Sequence, residues 1–126
     1  MIIGNGVDII DNKRIEKSLK IKGFKKRLFT LNEINQSKKY RNKTNYFAKR
    51  FAAKEALFKA VGIRSKLQFN DVEVRNDPSG APKFVIKGIS LKNLKKIFKN
   101  KKFKIHLSLS DDRPWAVASV IIFTHK

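Results

Sequence analysis

Apolar positions along the chain change period several times, and each change predicts an element. Ile2 to Ile10 is β-branched and apolar with Gly4 and Gly6 inside it; a two-residue period puts Ile2, Gly4, Gly6, Asp8 and Ile10 on one face of a strand. From Asp11 to Leu31 the apolar residues are Ile15, Leu19, Phe24, Leu28 and Phe29 among many Lys and Arg, which predicts a helix, a break at Gly23 and a shorter helix. Thr30-Leu31-Asn32-Glu33 has the form of a capping box and opens a helix to about Tyr40, followed by a polar connector from Arg41 to Asn45. A helix is predicted over residues 47–62, ending at Gly62. After a short loop, Leu67 to Arg75 reads as a strand, Asn76 to Pro82 as a turn and Lys83 to Lys87 as the returning strand of a hairpin. Leu91, Leu94, Ile97 and Phe98 predict a helix over 90–99. Phe103 to Ser110 alternates as a strand, with Ile105, Leu107 and Leu109 on one face and His106, Ser108 and Ser110 on the other. Residues 111–114 turn the chain into a last strand from Trp115 to Phe123. Strands and helices in this order make an α+β domain, and no repeat or linker divides it.

The helix over 47–62 holds the most informative side chains. Placed at ~100° per residue, Phe47, Phe51, Phe58 and Gly62 form a narrow stripe, and Glu55 lies at its edge. A carboxylate beside an apolar face is costly unless something pairs with it. Ala48, Ala52 and Ala56 leave the helix thin nearby, so a ligand could approach closely. Lys49, Arg50, Lys54 and Lys59 surround it with positive charge. One reading is a cation held by Glu55, with phosphate oxygens held by the Lys and Arg groups. The other is an ordinary Glu55–Lys59 pair one turn apart, worth only ~0.2–0.5 kcal/mol. Asp8 is a second acid in an unexpected place, since two glycines leave open space on its face of the strand.

Composition adds bounds. The 126 residues suit one small domain, residues 1–126, and the formal charge is +20, from 30 Lys and Arg against 10 Asp and Glu. Such a charge favours an acidic partner, although Lys is spread through nearly every segment. There is no Cys, which removes disulfides and thiolate chemistry. No charged segment precedes the first apolar residues, and no apolar run approaches the ~18 residues of a membrane span, so the expectation is a soluble cytoplasmic protein with no membrane partner.

Four segments in register carry a resemblance. Gly4-Asn5-Gly6-Val7-Asp8-Ile9-Ile10 resembles the opening G-x-G-x-D-I of holo-acyl-carrier-protein synthases, in the 4'-phosphopantetheinyl transferase superfamily. Phe47 to Ala60 is similar to their F-x-A-K-R-F-A-x-K-E-A-x-x-K-A helix, Asn70 to Pro82 to the segment between, and His106-Leu107-Ser108-Leu109-Ser110 to their H-x-S-L-S strand. The resemblance implies the phosphopantetheinyl transferase fold, with an antiparallel sheet flanked by helices. It implies a Mg2+-dependent enzyme, at work in fatty acid biosynthesis, that moves the 4'-phosphopantetheine arm of coenzyme A onto a Ser of apo-acyl-carrier protein and releases adenosine 3',5'-bisphosphate. Asp8 and Glu55 stand at the metal positions. Lys59 is positioned to neutralise the departing oxygen, and Arg50, Lys54 and His106 are candidates for the other phosphates. The proton acceptor is a metal-bound water, Glu55 or Asp111. Arg14 falls at a position associated with carrier contact. Single-domain relatives form homotrimers with active sites between subunits.

Two departures are visible. Asp111 follows the S-L-S strand where many relatives have His, and the loop at Val61-Gly62-Ile63-Arg64 is about two residues shorter than in the family. Two rivals follow from the residues. A nucleic-acid-binding module would explain the charge, but the aromatics lie at core spacing and no nucleic-acid motif is present, so no nucleic-acid partner is expected. A remnant that binds coenzyme A without transfer is disfavoured by the presence of Asp8, Glu55 and Lys59.

Overall fold

The computed structural model describes residues 1–62 and 65–124. Ile63 and Arg64, on which the shortened loop was read, lie outside the described residues. The chain is an α+β domain in which β1 (Ile2–Asp11), β4 (Phe103–Asp112) and β5 (Trp115–Thr124) form an antiparallel sheet in the order β1-β5-β4. A separate hairpin pairs β2 (Val72–Asn76) with β3 (Pro82–Ile86). No helix among the described residues is long and apolar enough to cross a membrane.

Local chemistry sets most of the boundaries. Asp11 ends β1 and caps α1 (Asn12–Leu19), its Oδ1 accepting from the Lys13 amide at 2.9 Å. Gly23, at φ 85°, turns the chain into α2 (Phe24–Leu28). The expected capping box opens α3 (Leu31–Ser37), with the Thr30 hydroxyl on the Glu33 amide and Glu33 on the Thr30 amide. The central helix α4 runs Lys43–Val61 and begins four residues before the predicted start, because Asn42 caps it through the Asn45 amide at 3.0 Å. α5 (Gly88–Ile97) follows the hairpin.

The strand predicted from Leu67 begins only at Val72. Residues Phe69–Asp71 form a 3-10 turn instead. Asp71 accepts from the Ser90 amide and hydroxyl at 3.2 and 2.8 Å, and the Gln68 amide donates to Ser90 Oγ at 2.9 Å. These bonds tie the segment to the start of α5, and the Phe69 ring meanwhile packs on Phe51 and Phe58.

α4 packs along β1 and β5, and its surroundings correct the reading of its thin face. A side chain on Gly6 would stand 2.0 Å from the Ala56 carbonyl oxygen, and one on Gly4 2.6 Å from that of Ala60. The alanines and glycines therefore bring helix and strand backbones together and leave no open space between them. Ala48, Ala52, Ala53, Ala56 and Leu57 are fully buried, alongside Ala116, Ala118, Val120 and Ile122 of β5. Among the described residues no helix packs on the opposite sheet face. It carries Val7 (59% exposed), Ile9 (61%) and Ile121 (39%), with Asn5, His106 and Ser108 beside them.

Candidate functional site

Asp8 lies on the α4 side of β1, two residues beyond the close approach at Gly6, and its side chain is 14% exposed. Lys59 projects from the last turns of α4 and donates to Asp8 Oδ1 at 2.8 Å and to the Val7 carbonyl at 3.1 Å. The ordinary pair between Glu55 and Lys59 is therefore not what forms. Among the described residues no hydrogen bond or ion pair reaches the Glu55 carboxyl. Burial, and after it the charge of Asp8, raise its pKa, while Lys59 and Arg14 act the other way. Asp8, Glu55, Lys59 and Arg14 thus share one electrostatic neighbourhood. Beside it opens a cavity of about 490 Å3 lined by Glu55, Phe58, Lys59, Gly62, Lys66 and Leu67, so that its lining combines apolar Phe58 and Leu67 with the cations Lys59 and Lys66.

The donor set suits a hard divalent cation. Two carboxylates close enough to repel share one neighbouring ammonium, which is bonded to Asp8, and a cation that binds oxygen and keeps other positions for water or phosphate would relieve their repulsion. Among the described residues no group of three or more His, Cys, Asp or Glu is placed to hold a metal ion.

The other expected site residues separate from this cluster. Lys54 is the clear correction: it is fully buried, and its ammonium donates to the Leu28 carbonyl at 2.6 Å, Glu33 Oε1 at 2.7 Å and the Phe69 carbonyl at 3.2 Å. Burial lowers its pKa, with the Glu33 charge opposing. All three of its protons are engaged inside the protein, so the phosphate role expected of it is withdrawn. Arg50 is also buried, about 140° round α4 from Glu55. Its guanidinium stacks on Tyr46 at 3.8 Å, with Tyr40 at 5.7 Å, its Nε has no partner, and it lines a polar cavity of about 450 Å3 with Asn32, Gln36 and Asn76.

His106 lies on the uncovered sheet face, its ring 5.0 Å from that of Phe123, on the far side of the sheet from Asp8 and Glu55. Asp111 accepts from Lys49 and Asn45, each at 3.3 Å, and Lys49 is about 9 Å along the helix axis from Glu55. Within one subunit Asp111 therefore ties the end of β4 to the start of α4 and is not brought to the two carboxylates.

Sequence reasoning missed Glu33 and the Tyr40–Tyr46 pair. The capping box marked Glu33 as a helix-start residue, but nothing in the pattern showed that its carboxylate would also meet Lys54.

Comparison with known proteins bears on all of this. A family model described as 4'-phosphopantetheinyl transferase superfamily matches residues 4–119. A holo-[acyl-carrier-protein] synthase of Pelagibacter ubique is 48% identical over 123 residues, covering 96% of each chain. A crystal structure of a holo-(acyl-carrier-protein) synthase from Bacillus anthracis in complex with CoA (3',5'-ADP) superposes with a TM-score of 0.80 at 39% identity, over 99% of both chains. That of Helicobacter pylori in complex with coenzyme A gives 0.77 at 30% identity, over 94% of this chain and 99% of that one.

Proposed function

Because the chain belongs to the 4'-phosphopantetheinyl transferase superfamily, among its holo-[acyl-carrier-protein] synthases, we propose that Asp8 and Glu55 hold Mg2+ for the transfer of 4'-phosphopantetheine from coenzyme A to a Ser of apo-acyl-carrier protein. The observation that carries the assignment is the Glu55 carboxyl, which has no bonded partner among the described residues, lies within reach of the charge of Asp8 and lines the 490 Å3 cavity. Two hard carboxylates alone are an incomplete shell for such an ion, and diphosphate oxygens and water are the usual complement. When bound, the ion lowers the negative charge of the diphosphate.

The chain's own groups do the rest. Lys59 is more than half exposed and sits on Asp8, from which it can turn to the oxygen that leaves as adenosine 3',5'-bisphosphate. The bond from the carrier Ser Oγ to phosphorus forms as that phosphorus–oxygen bond breaks. The Ser proton goes to Glu55 or to water, since Asp111 is engaged by Lys49 and Asn45. The apolar wall of Phe58 and Leu67 suits the uncharged part of coenzyme A. Arg14, whose charge reaches Glu55 from α1, is the residue we assign to contact with an acidic carrier.

Arg50 and His106 lie too far round the subunit to join Glu55 from within it. We assign them to phosphates bound at a neighbouring copy, in a homotrimer built on the uncovered sheet face. Exposed Val7, Ile9 and Ile121 support that choice of face. We place the reaction in the cytoplasm and in the supply of carrier for fatty acid synthesis.

Asp8→Ala and Glu55→Ala each remove one of the two carboxylates assigned to the ion. Each is expected to lower Mg2+-dependent transfer about 10^3-fold or more, as when a main electrostatic group of a phosphoryl-transfer site is lost, with the melting temperature unchanged or raised. Turnover of apo-carrier protein with coenzyme A, measured across Mg2+ concentrations, is the check. Wild-type turnover in both variants would remove the assignment.

A further inference from the structure

Lys54 and Glu33 form a fully buried ion pair that the transfer chemistry does not use. Besides Lys54, Glu33 Oε1 accepts from the Thr30 amide at 2.9 Å and Oε2 from the Val74 amide at 2.9 Å, while the Tyr46 hydroxyl donates to the Glu33 carbonyl at 2.7 Å. With the Leu28 and Phe69 carbonyls on Lys54, one bracket gathers the end of α2, the start of α3, the 3-10 turn and β2. All of these meet α4 at the residue immediately before Glu55.

A buried pair of this kind is weak evidence for stability, because well-packed apolar residues of equal volume often serve as well or better. What the pair does supply is direction. On the β1 side, the Ala56 and Ala60 carbonyls of α4 lie against Gly6 and Gly4, and the side-chain link is that of the half-exposed Lys59, near the end of the helix, to Asp8 and Val7. The carbonyl–glycine contact opposes approach but by itself resists rotation and sliding along the strand less than a buried bracket on the other side of the helix does. Lys54 points away from it, about 200° round the helix from Ala56.

We propose that Lys54, held by Glu33, is a positioning residue that fixes the rotation and height of α4 so that the Glu55 carboxyl faces Asp8. The inference rests on the reading of Asp8 and Glu55 as a cation-binding pair. The bracket also reaches the cavity wall: the Phe69 carbonyl is on Lys54, and its ring lies 4.6 Å from that of Phe58. Loss of the bracket therefore loosens both the carboxylate and the apolar wall beside it.

The test is Mn2+ binding to the full chain with saturating coenzyme A and no carrier protein, read by electron paramagnetic resonance. Lys54→Met keeps an unbranched side chain only one heavy atom shorter and removes its three bonds. It is expected to weaken Mn2+ binding about tenfold or more, the usual cost of losing a group that orients a metal ligand. Leu94→Ala, a fully buried truncation in α5, is the control: it is expected to lower the melting temperature and leave Mn2+ affinity unchanged. Unchanged affinity in Lys54→Met, or an equal loss in Leu94→Ala, overturns the proposal. If Lys54→Met does not fold, Glu33→Gln carries the same expectation, since it removes the charge that holds the ammonium. Asp8→Ala separates the two levels. If it binds Mn2+ as wild type does, the cation-site reading itself fails, and the role of Lys54 fails with it. If it loses Mn2+ while Lys54→Met does not, only the positioning role fails.

Discussion

Two glutamates in this chain are displaced in opposite directions, and each displacement has a consequence. Burial alone would raise the Glu73 pKa, but the Thr30 hydroxyl, Arg75 and Asn32 on its carboxylate outweigh that and hold it below 4.5. A carboxyl that binds its proton less tightly folded than unfolded stabilises the fold fully above the unfolded value, and loses that contribution as pH falls through the folded one. Glu73→Gln is therefore expected to be less stable at neutral pH by about 1–3 kcal/mol, and to lose less stability than wild type as pH drops below 4.5. Urea midpoints across that range are the check, and parallel curves would count against it. Glu55 has the reverse sign, since its proton is bound more tightly in the folded state. That unfavourable carboxylate was legible in the sequence as an acid beside an apolar stripe. Lys54 and Arg50 were not separable there, since a helical wheel gives the direction of a cation but not what waits for it. Glu33 waits for one and two tyrosines for the other, and both arrive from other parts of the chain.

At the scale of elements, periodicity located each described strand and α-helix but not the 3-10 turn at Phe69–Asp71, and its two largest misses are in where elements begin. α4 starts early because Asn42 caps it, and β2 starts late because Asp71 and Ser90 hold the preceding turn to α5. Both are side-chain bonds to backbone or to distant residues, which apolar spacing does not report. The glycines of β1 are more telling. Gly4 and Gly6 read in the sequence as space around Asp8, and in the fold they are the bed of α4. Gly6→Ala puts a methyl 2.0 Å from a backbone carbonyl that cannot rotate away. It is expected to cost about 1–3 kcal/mol or more through overpacking, and to lower transfer well beyond what lost stability explains, because the helix must lift from the strand that bears Asp8. Chemical denaturation alongside turnover at a temperature where the variant is fully folded tests this. A destabilised variant with full activity would show that the spacing of α4 and β1 is not critical.

For the whole molecule, the sequence indicated α+β architecture but not which sheet face stays bare, since an alternating strand looks the same whether its outer side meets water or another copy. The open face, with Val7, Ile9 and Ile121, is the surface on which a trimer is expected, and light scattering should return three times the 14.6 kDa subunit mass. Val7→Lys with Ile9→Lys, which leaves the α4 side of β1 untouched, is expected to yield monomers without unfolding. Wild-type mass in that double variant would locate the interface elsewhere. Association through this face would also make the quantity of enzyme a variable of its own rate law. A catalyst whose phosphate contacts come partly from another copy loses activity per subunit on dilution, as the third power of concentration sets the balance between separated and joined chains. A cell that makes little of this protein would then have less than proportionally little activity, and doubling the supply would more than double the output until assembly is complete.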